Sequence, residues 1–279
     1  MLQERGVEKS VAEARTGRLF NTLGWTGRRT LSLGGYLLDL TSFILHALRD
    51  WFGDARLFNR ATRQSLTSQI IFTGVDALPV ITLLALAVGL SITSQLLMLA
   101  QALGSERDVA AMLTSIVGVE LSSLLTAIVL IGRSGSAIAV DTGYMKLHGE
   151  VEALELLGIN VQEFFVTPRI IGAAIAQVTL AVYFAAVALF GGVFLNGLLF
   201  HLETTHQLKH LAEVLQPSQV AIFILKNLLF GIVIAGTACF HGLRVRSSPT
   251  ELPQHTQRAI VTSLVLVFLM DGLLAVVSR

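Results

Sequence analysis

Residues 170–200 read IIGAAIAQVTLAVYFAAVALFGGVFLNGLLF, a run of 31 residues without a charged side chain. A helix needs roughly 20 apolar residues to cross the hydrocarbon core of a bilayer, which is about 30 Å thick. This run is longer than that, so we expect its helix either to tilt or to break near Gly191 and Gly192. A segment of this kind assigns the chain to the integral membrane proteins.

The composition of the whole chain agrees with this assignment. Of its 279 residues, 53% are hydrophobic and 14% are charged, and the mean hydropathy is +0.70, whereas soluble domains carry about 25% charged residues. Stretches long enough to span a bilayer lie near residues 77–103, 109–131, 168–200, 219–242 and 259–277. We expect an all-α membrane protein with five transmembrane helices, which excludes a soluble enzyme. A net charge of +1 gives no indication of nucleic-acid binding.

The N-terminal part differs from the rest of the chain. Residues 1–30 mix acidic and basic side chains without an apolar core, which is not the pattern of a cleaved secretory signal. Apolar residues then recur at spacings of four and three, at Leu33, Leu37, Leu40, Ile44 and Ala47. This periodicity predicts an amphipathic helix that lies in the membrane interface. We therefore divide the chain into a cytoplasmic and interfacial region, 1–65, and a transmembrane domain, 66–279.

The distribution of Lys and Arg predicts the orientation of the helices, because cytoplasmic loops are enriched in both. Basic residues precede the first span, separate the second from the third, and separate the fourth from the fifth. They are Arg56, Arg60, Arg63, Arg133, Lys146, Arg169, Arg244, Arg246 and Arg258. These regions are expected to be cytoplasmic, which places the N-terminus in the cytoplasm and, with an odd number of spans, the C-terminus on the other side.

Residues 132–159, GRSGSAIAVDTGYMKLHGEVEALELLGI, begin with a candidate protease motif. The first four residues match the Gly-x-Ser-Gly of rhomboid intramembrane proteases, where a histidine on another helix takes the proton of the serine. Here the serine would be Ser134 and the histidine His241. The wider rhomboid pattern around the histidine is missing, so this interpretation is the weaker one.

Two other interpretations of this glycine-containing stretch fit the residues poorly. Asp141-Thr142-Gly143 matches the triplet of aspartic proteases, but that chemistry needs two carboxylates that share a proton, and the triplet here follows a helix. The nucleotide-binding pattern Gly-x-x-x-x-Gly-Lys-Ser/Thr does not occur in the sequence. If ATP drives this protein, another polypeptide hydrolyses it.

The second half of the stretch has the pattern of a short amphipathic helix. Apolar residues recur at helical spacing and acidic residues lie beside them. The apolar set is Leu147, Val151, Leu154 and Leu157, and the acidic set is Glu150, Glu152 and Glu155. A cytoplasmic amphipathic helix between two spans fits a groove in a partner protein, whereas anionic lipid headgroups would repel its acidic face.

The run from residue 132 to residue 169 resembles the signature of MlaE-type permeases, the membrane subunits of phospholipid ABC transporters that work with MCE proteins. The matching residues are Gly132, Arg133, Gly135, Ser136, Gly143, Met145, Glu150, Ala153, Leu154, Glu155, Pro168 and Arg169. The resemblance extends to the N-terminal helix, the five spans, and Gly89, Gln95, Cys239, Gly242 and Asp271. It implies that residues 150–158 form a coupling helix that docks into the ATPase subunit.

The sequence departs from the family pattern in a few places. Only Glu120 and Leu121 remain of an Arg-Glu-Leu-Gly-Pro run near the start of the second span. Asn160 and Val161 stand where an Asp-Pro usually follows the coupling helix, and a polar loop replaces a glycine-rich one before the fifth span. These departures leave the expected fold unchanged.

Three charged residues, Glu120, Lys226 and Asp271, lie within the expected spans, where an ionised group costs about 2.5 to 3.5 kcal/mol on insertion scales. The resemblance implies that Glu120 lies near a lipid-entry cavity, where it could meet an ammonium headgroup or a basic residue. Lys226 could snorkel to the interface or pair with Asp271. Alternatively, all three could form the proton relay of an ion-coupled transporter, although we see no internal repeat of the kind such transporters have.

The resemblance as a whole implies a non-catalytic permease that moves phospholipids between the inner membrane of a Gram-negative bacterium and a periplasmic MCE-domain protein, in support of outer-membrane lipid asymmetry. It implies a homodimer, ABC ATPase subunits that bind ATP and Mg, and room for a small cytoplasmic accessory subunit. The chain itself is expected to hold no cofactor and no metal. An ion-coupled transporter, or an intramembrane serine protease at Ser134, remain the alternatives.

Two sets of site residues follow from this resemblance. The ATPase-docking set is Glu150, Val151, Glu152, Leu154, Glu155 and Leu157. The lipid-cavity set is Gly89, Gln95, Glu120 and Leu121.

Overall fold

The computed structural model describes residues 34–49, 60–103, 114–200, 217–246 and 248–277. Within these ranges the regular structure is helical, and no β-strand is present. Helices long and apolar enough to cross a membrane lie at Arg63–Gln95, Ser115–Leu147, Gln162–Leu195, Gln219–Gly242 and Glu251–Val276. The all-α fold with five membrane-spanning helices is therefore confirmed.

The chain divides into a first unit, residues 1–45, and a second unit, residues 46–279. The first helix, α1, covers 34–49, and Leu33 of the predicted interfacial helix lies outside the described residues. The remaining helices are α2 (Arg60–Thr73), α3 (Leu78–Leu103), α4 (114–147), α5 (Glu150–Leu156), α6 (162–200), α7 (Pro217–Gly242) and α8 (Glu251–Val277). The interfacial position of α1 stays a prediction.

The central helix of the second unit is α6, against which α2, α3, α4 and α7 pack. Glycines allow the closest of these contacts. A Cβ atom at Gly89 of α3 would lie 2.3 Å from the carbonyl oxygen of Ala188, and one at Gly231 of α7 would lie 2.5 Å from Ala174 Cα. Because lipid supplies no hydrophobic force between helices, such close van der Waals contacts stabilise the bundle.

No break occurs in α6 at Gly191 and Gly192. A Cβ at Gly192 would lie 2.7 Å from the carbonyl oxygen of Gly89. The glycine pair therefore belongs to the crossing of α3 and α6 and does not mark a kink.

The second span is longer than the sequence predicted. Instead of ending near residue 131, α4 continues to Leu147, with π-helical turns at Thr114–Leu121 and Ile131–Gly135. Its glycine-rich part is a packing surface: a Cβ at Gly242 of α7 would lie 2.8 Å from the carbonyl oxygen of Ala139. Small residues in this part are thus the points at which α7 approaches α4.

The core of the bundle is apolar and lies among α3, α4, α6, α7 and α8. Its large, fully buried side chains include Ile81, Leu130, Phe184, Phe230 and Val267. The outside is also apolar, most clearly on α8. There, a row that we call the α8 stripe is more than half exposed and consists of Val261, Val265, Phe268, Leu269, Leu273 and Val276. Such a surface fits contact with lipid or with another membrane protein.

Candidate functional site

The predicted coupling helix is present as α5, a seven-residue helix between two glycines with left-handed backbones. Gly149 has a φ of 72° and Gly158 a φ of 73°, a region that only glycine enters without strain. The amide of Ile159 donates a 3.0 Å hydrogen bond to the carbonyl oxygen of Leu154, as in a Schellman motif that ends at Gly158. The two glycines turn the chain out of α4, through α5 and back into α6.

The exposed face of α5 does not include every residue of the predicted docking set. Val151 is 5% exposed and packs within its own chain, and the docking role of the set stays a prediction. Leu156 is 88% exposed and Leu157 is 73% exposed, whereas Leu154 is half-buried. Leu156 was not among the residues predicted to dock. The apolar surface that α5 offers to a partner is therefore Leu156 with Leu157, beside the exposed carboxylates of α5.

An ion pair ties α5 to the end of α4. Lys146 donates a hydrogen bond to Glu152, and this contact holds the pKa of the Glu152 carboxyl below its usual value of 4.5. The rings of Tyr144 and His148, at the end of α4, stack with centroids 3.9 Å apart. The position of α5 relative to α4 thus depends on polar contacts at the turn between them.

Two arginines fix α4 to the neighbouring helices. Arg169 of α6 pairs with Asp141 and donates a 3.0 Å hydrogen bond to the hydroxyl of Thr142. Arg133 lies 3.4 Å from the carboxylate of Asp76, which precedes α3. The carboxylate of the Asp-Thr-Gly triplet is therefore held by a guanidinium group, which is not the proton-sharing arrangement of an aspartic protease.

The structure does not assemble the candidate serine protease site. Ser134 is 1% exposed, and its hydroxyl accepts a 3.4 Å hydrogen bond from Arg133. His241 Nε2 lies 3.5 Å from the hydroxyl of Thr262 on α8. Among the described residues, Arg133 and not His241 is the side chain that hydrogen-bonds to Ser134, so no general base is in place.

The three charged residues within the spans meet at one point. Lys226 Nζ on α7 donates a 2.5 Å hydrogen bond to Glu120 Oε2 on α4 and lies 2.5 Å from Asp271 Oδ1 on α8. The side chain of Lys226 is 3% exposed, that of Asp271 14% and that of Glu120 40%. The pairing of Lys226 with Asp271 is confirmed, and snorkelling is not observed. One lysine thus neutralises part of the charge of two carboxylates.

A layer of buried polar side chains connects α4, α6 and α7 beside this charge cluster. Gln177 Nε2 donates a 3.0 Å hydrogen bond to Asn227 Oδ1, and Asn227 Nδ2 donates a 2.9 Å hydrogen bond to Ser123 Oγ. All three residues are fully buried. Gln177 and Asn227 were not predicted as site residues, although an amide within an apolar span indicates a hydrogen-bonded contact, because an unpaired amide is costly in lipid.

The residues predicted to line a lipid cavity lie in different surroundings. Gly89 is enclosed in the crossing of α3 and α6 against Ala188, and its role in a lipid cavity stays a prediction. Gln95 is exposed on α3, and Leu121 is half-buried next to Glu120 on α4. A role of Gln95, Glu120 and Leu121 in lipid binding stays a prediction. Among the described residues, no group of three or more His, Cys, Asp or Glu side chains could hold a metal ion.

Comparison with known proteins identifies a family with these features. The sequence model of the family described as Permease MlaE matches residues 66–277. Protein TRIGALACTOSYLDIACYLGLYCEROL 1 of Arabidopsis chloroplasts is 27% identical over 207 residues, which are 74% of this chain but only 59% of that longer protein. A probable ABC transporter permease protein of Synechocystis is 27% identical over 219 residues, covering 78% of this chain and 83% of that protein. Another, from Rickettsia bellii, is 23% identical over 256 residues, covering 92% and 97%.

The family match includes every helix from α3 to α8, and its bounds enclose 212 of the 279 residues. The five membrane-spanning helices and the short α5 between the second and third of them lie within it, apart from the first residues of the first span. This chain therefore belongs to the MlaE permease family and is a multi-pass membrane permease of the ABC transporter type.

Proposed function

We propose that this chain is the membrane subunit of an ABC transporter that moves phospholipids, and that α5 transmits the movement of an ATPase subunit to the bundle. The observation that carries the proposal is the exposed pair Leu156 and Leu157 on a short acidic helix between two membrane spans. An apolar pair on a helix tip fits a groove in a partner, with the flanking carboxylates available to basic residues at the rim.

The contacts around α4 supply a physical route from α5 into the membrane. Lys146 and Glu152 join α5 to α4, and Arg169 and Arg133 join α4 to α6 and to the start of α3. With 34 residues, α4 is about 50 Å long. A push on α5 is therefore applied to one long helix, which carries Glu120 of the charge cluster in its first π-helical segment.

The substrate class rests on the relatives and on the exposed surface of the chain. The Arabidopsis relative is named for a diacylglycerol lipid, and the α8 stripe shows that large apolar areas remain uncovered in a single chain. We propose that two copies enclose a lipid cavity bordered by Glu120, whose side chain is 40% exposed although it pairs with Lys226. Gln95 and Leu121 are further candidates for this cavity.

The rest of the assembly follows from the same proposal. ATP and Mg bind to ABC ATPase subunits, and this chain carries out no bond chemistry. A periplasmic MCE-domain protein exchanges lipid with the cavity, a small cytoplasmic subunit completes the assembly, and the transporter supports outer-membrane lipid asymmetry. The chain lies in the inner membrane of a Gram-negative bacterium with α5 on the cytoplasmic side, which agrees with the basic residues Lys146, Arg244, Arg246 and Arg258 near that end.

The alternative of an ion-coupled transporter rests on the cluster of Lys226, Glu120 and Asp271. Because one ammonium group contacts both carboxylates, a proton relay through them would have to break a largely buried ion pair, at a cost of several kcal/mol. ABC membership and this pairing favour a structural role for the cluster.

The deciding experiment reconstitutes the chain with its ATPase in liposomes and measures movement of a labelled phospholipid. Movement that requires hydrolysable ATP, and fails with a non-hydrolysable analogue, is the expected result. Movement driven by a proton gradient without ATP would overturn the proposal in favour of the ion-coupled transporter.

A further inference from the structure

A basic cleft opens at the end of the bundle that carries α5. It has a volume of about 760 Å³ and lies between the end of α4, the connection from α7 to α8, and the first turns of α8. Its ionisable lining residues are Lys146, Arg244, Arg246, Glu251, His255 and Arg258. With His255 neutral, these residues carry a net formal charge of +3.

Two of the cleft arginines, Arg246 and Arg258, form no ion pair with a carboxylate in the part of the chain that the structure describes. Glu251 accepts a 3.1 Å hydrogen bond from the backbone amide of Arg246. A cleft lined by charges of one sign concentrates ions of the opposite sign. The start of α8, at Glu251, adds the positive end of a 27-residue helix dipole.

The three arginines that line the cleft fit a phosphate group. The planar guanidinium forms two parallel hydrogen bonds to phosphate oxygens, and several arginines together suit a group with several oxygens. Arg244 is held in place by stacking on the ring of Phe240, with its Cζ 3.9 Å from the ring centroid.

The α8 stripe distinguishes a lipid from a free phosphate ion. Val261 and Val265 lie three and seven residues after Arg258, on the same face of α8, and each is 52% exposed. The stripe continues along that face to Val276. If the phosphate at Arg258 belongs to a lipid headgroup, the acyl chains of that lipid can lie on the α8 stripe. A free phosphate ion has no acyl chains and would not use this apolar surface.

We propose that this cleft binds the phosphate group of an anionic phospholipid from the surrounding leaflet, with the acyl chains of the lipid along the α8 stripe. This site is separate from the cavity for transported lipid. Because Lys146 both lines the cleft and pairs with Glu152 of α5, the bound phosphate competes with Glu152 for one ammonium group. The lipid would then loosen the contact between α4 and α5.

The test measures lipid binding to the full, delipidated chain in detergent, without any ATPase, so its failure leaves the proposed transport function untouched. Isothermal titration calorimetry compares dioctanoyl phosphatidylglycerol, dioctanoyl phosphatidylcholine and inorganic phosphate. The variants are Arg258→Gln, the double variant Arg246→Gln/Arg258→Gln, and Arg63→Gln as a matched control, since Arg63 is an exposed arginine on α2 outside the cleft.

The expected result is that phosphatidylglycerol binds more tightly than phosphatidylcholine and inorganic phosphate. Because hydrogen bonds to charged groups are strong, Arg258→Gln should weaken this binding at least about tenfold and Arg63→Gln should leave it unchanged. Equal binding of both lipids, unaffected by the cleft variants, would overturn the proposal. If inorganic phosphate binds as tightly as the anionic lipid, the cleft is a site for a free ion and the lipid proposal is overturned. If a Val265→Cys variant cross-links two copies of the chain, the α8 stripe is a dimer contact, which overturns the placement of the acyl chains.

Discussion

Lys226 Nζ lies 2.5 Å from Glu120 Oε2 and thereby joins α7 to α4 in the part of the bundle that crosses the membrane. These residues are 106 positions apart in the sequence, and Asp271 of α8 contacts the same ammonium group. Three helices thus share one buried cation. Its removal would leave two carboxylates close together without a counter-charge, which is costly in a low-dielectric environment.

Replacement of Lys226 by methionine should therefore destabilise the bundle. We expect a loss of about 3 kcal/mol, at the low end for a broken buried pair because Glu120 is 40% exposed. Thermal unfolding of the purified chain in detergent measures the change. The triple variant Lys226→Met/Glu120→Gln/Asp271→Asn, which removes all three charges, should regain most of the stability. An unfolding temperature that is unchanged in Lys226→Met would contradict a structural role for the cluster.

The close approach of α6 and α7 at Gly231 gives a second prediction. A Cβ at this position would lie 2.5 Å from Ala174 Cα and 2.7 Å from the carbonyl oxygen of Ala173, and backbone atoms cannot move aside cheaply. Gly231→Ala should cost about 1–3 kcal/mol through overpacking. Gly272→Ala is the matched control, since no atom lies within 4 Å of its Cβ position; it should be neutral or stabilise α8 by up to about 1 kcal/mol. Equal unfolding temperatures for the two variants would contradict the close approach of α6 and α7 at Gly231.

The ion pair between Lys146 and Glu152 gives a pH-dependent prediction. Its hydrogen bond lowers the pKa of Glu152, so the pair stabilises α5 above the usual carboxyl pKa of 4.5 and is lost as the pH falls through the lowered value. Hydrogen exchange of the α5 amides should be faster in Glu152→Gln than in the unchanged protein near neutral pH. At pH values below the lowered pKa of Glu152, the exchange rates of the variant and of the unchanged protein should become equal. The two proteins are compared at the same pH, so that the pH dependence of the intrinsic exchange rate cancels. A difference that persists unchanged at low pH would show that the pair does not hold α5.

Substitution of Ser134 tests whether this chain carries out a reaction of its own. The hydroxyl of Ser134 is buried and accepts one long hydrogen bond from Arg133. Ser134→Ala should therefore leave assembly and lipid movement within about twofold of the unchanged protein, as expected when a weak hydrogen bond is removed. Loss of activity with assembly preserved would indicate that the serine takes part in a reaction.

The membrane fold could be predicted from the sequence because its signal is local and strong. Spans such as 168–200 contain long runs without a charged residue, and the structure has the corresponding helix at Thr167–Phe200. The end of the second span could not be predicted in the same way. Glycine disfavours a helix on propensity alone, and only the packing of Gly135 and Gly143 against α7 shows why the helix continues.

The docking face shows a second limit of sequence patterns. The spacing of Leu147, Val151, Leu154 and Leu157 assumes one continuous helix, but the left-handed backbone of Gly149 breaks it and changes its direction. The break separates Leu147 from the other three residues, and within α5 the five-residue step from Val151 to Leu156 places them on nearly opposite sides, so Val151 is buried and Leu156 exposed. The meeting of Lys226 with two carboxylates also depends on helix packing, although each charged residue was visible within its span.

The central claim is that α5 couples this permease to an ATPase through its exposed apolar tip. The most direct measurement is ATP hydrolysis by the tagged chain purified with its ATPase, compared between Leu156→Asp and the matched variant Leu156→Met. Because Leu156 is 88% exposed, neither change should disturb folding of the chain, which its unfolding temperature verifies. We expect Leu156→Met to retain the ATPase and its hydrolysis, and Leu156→Asp to lose at least about tenfold in ATPase association, as for a charge placed in an apolar contact. Equal ATPase recovery and equal hydrolysis with both variants would contradict the claim.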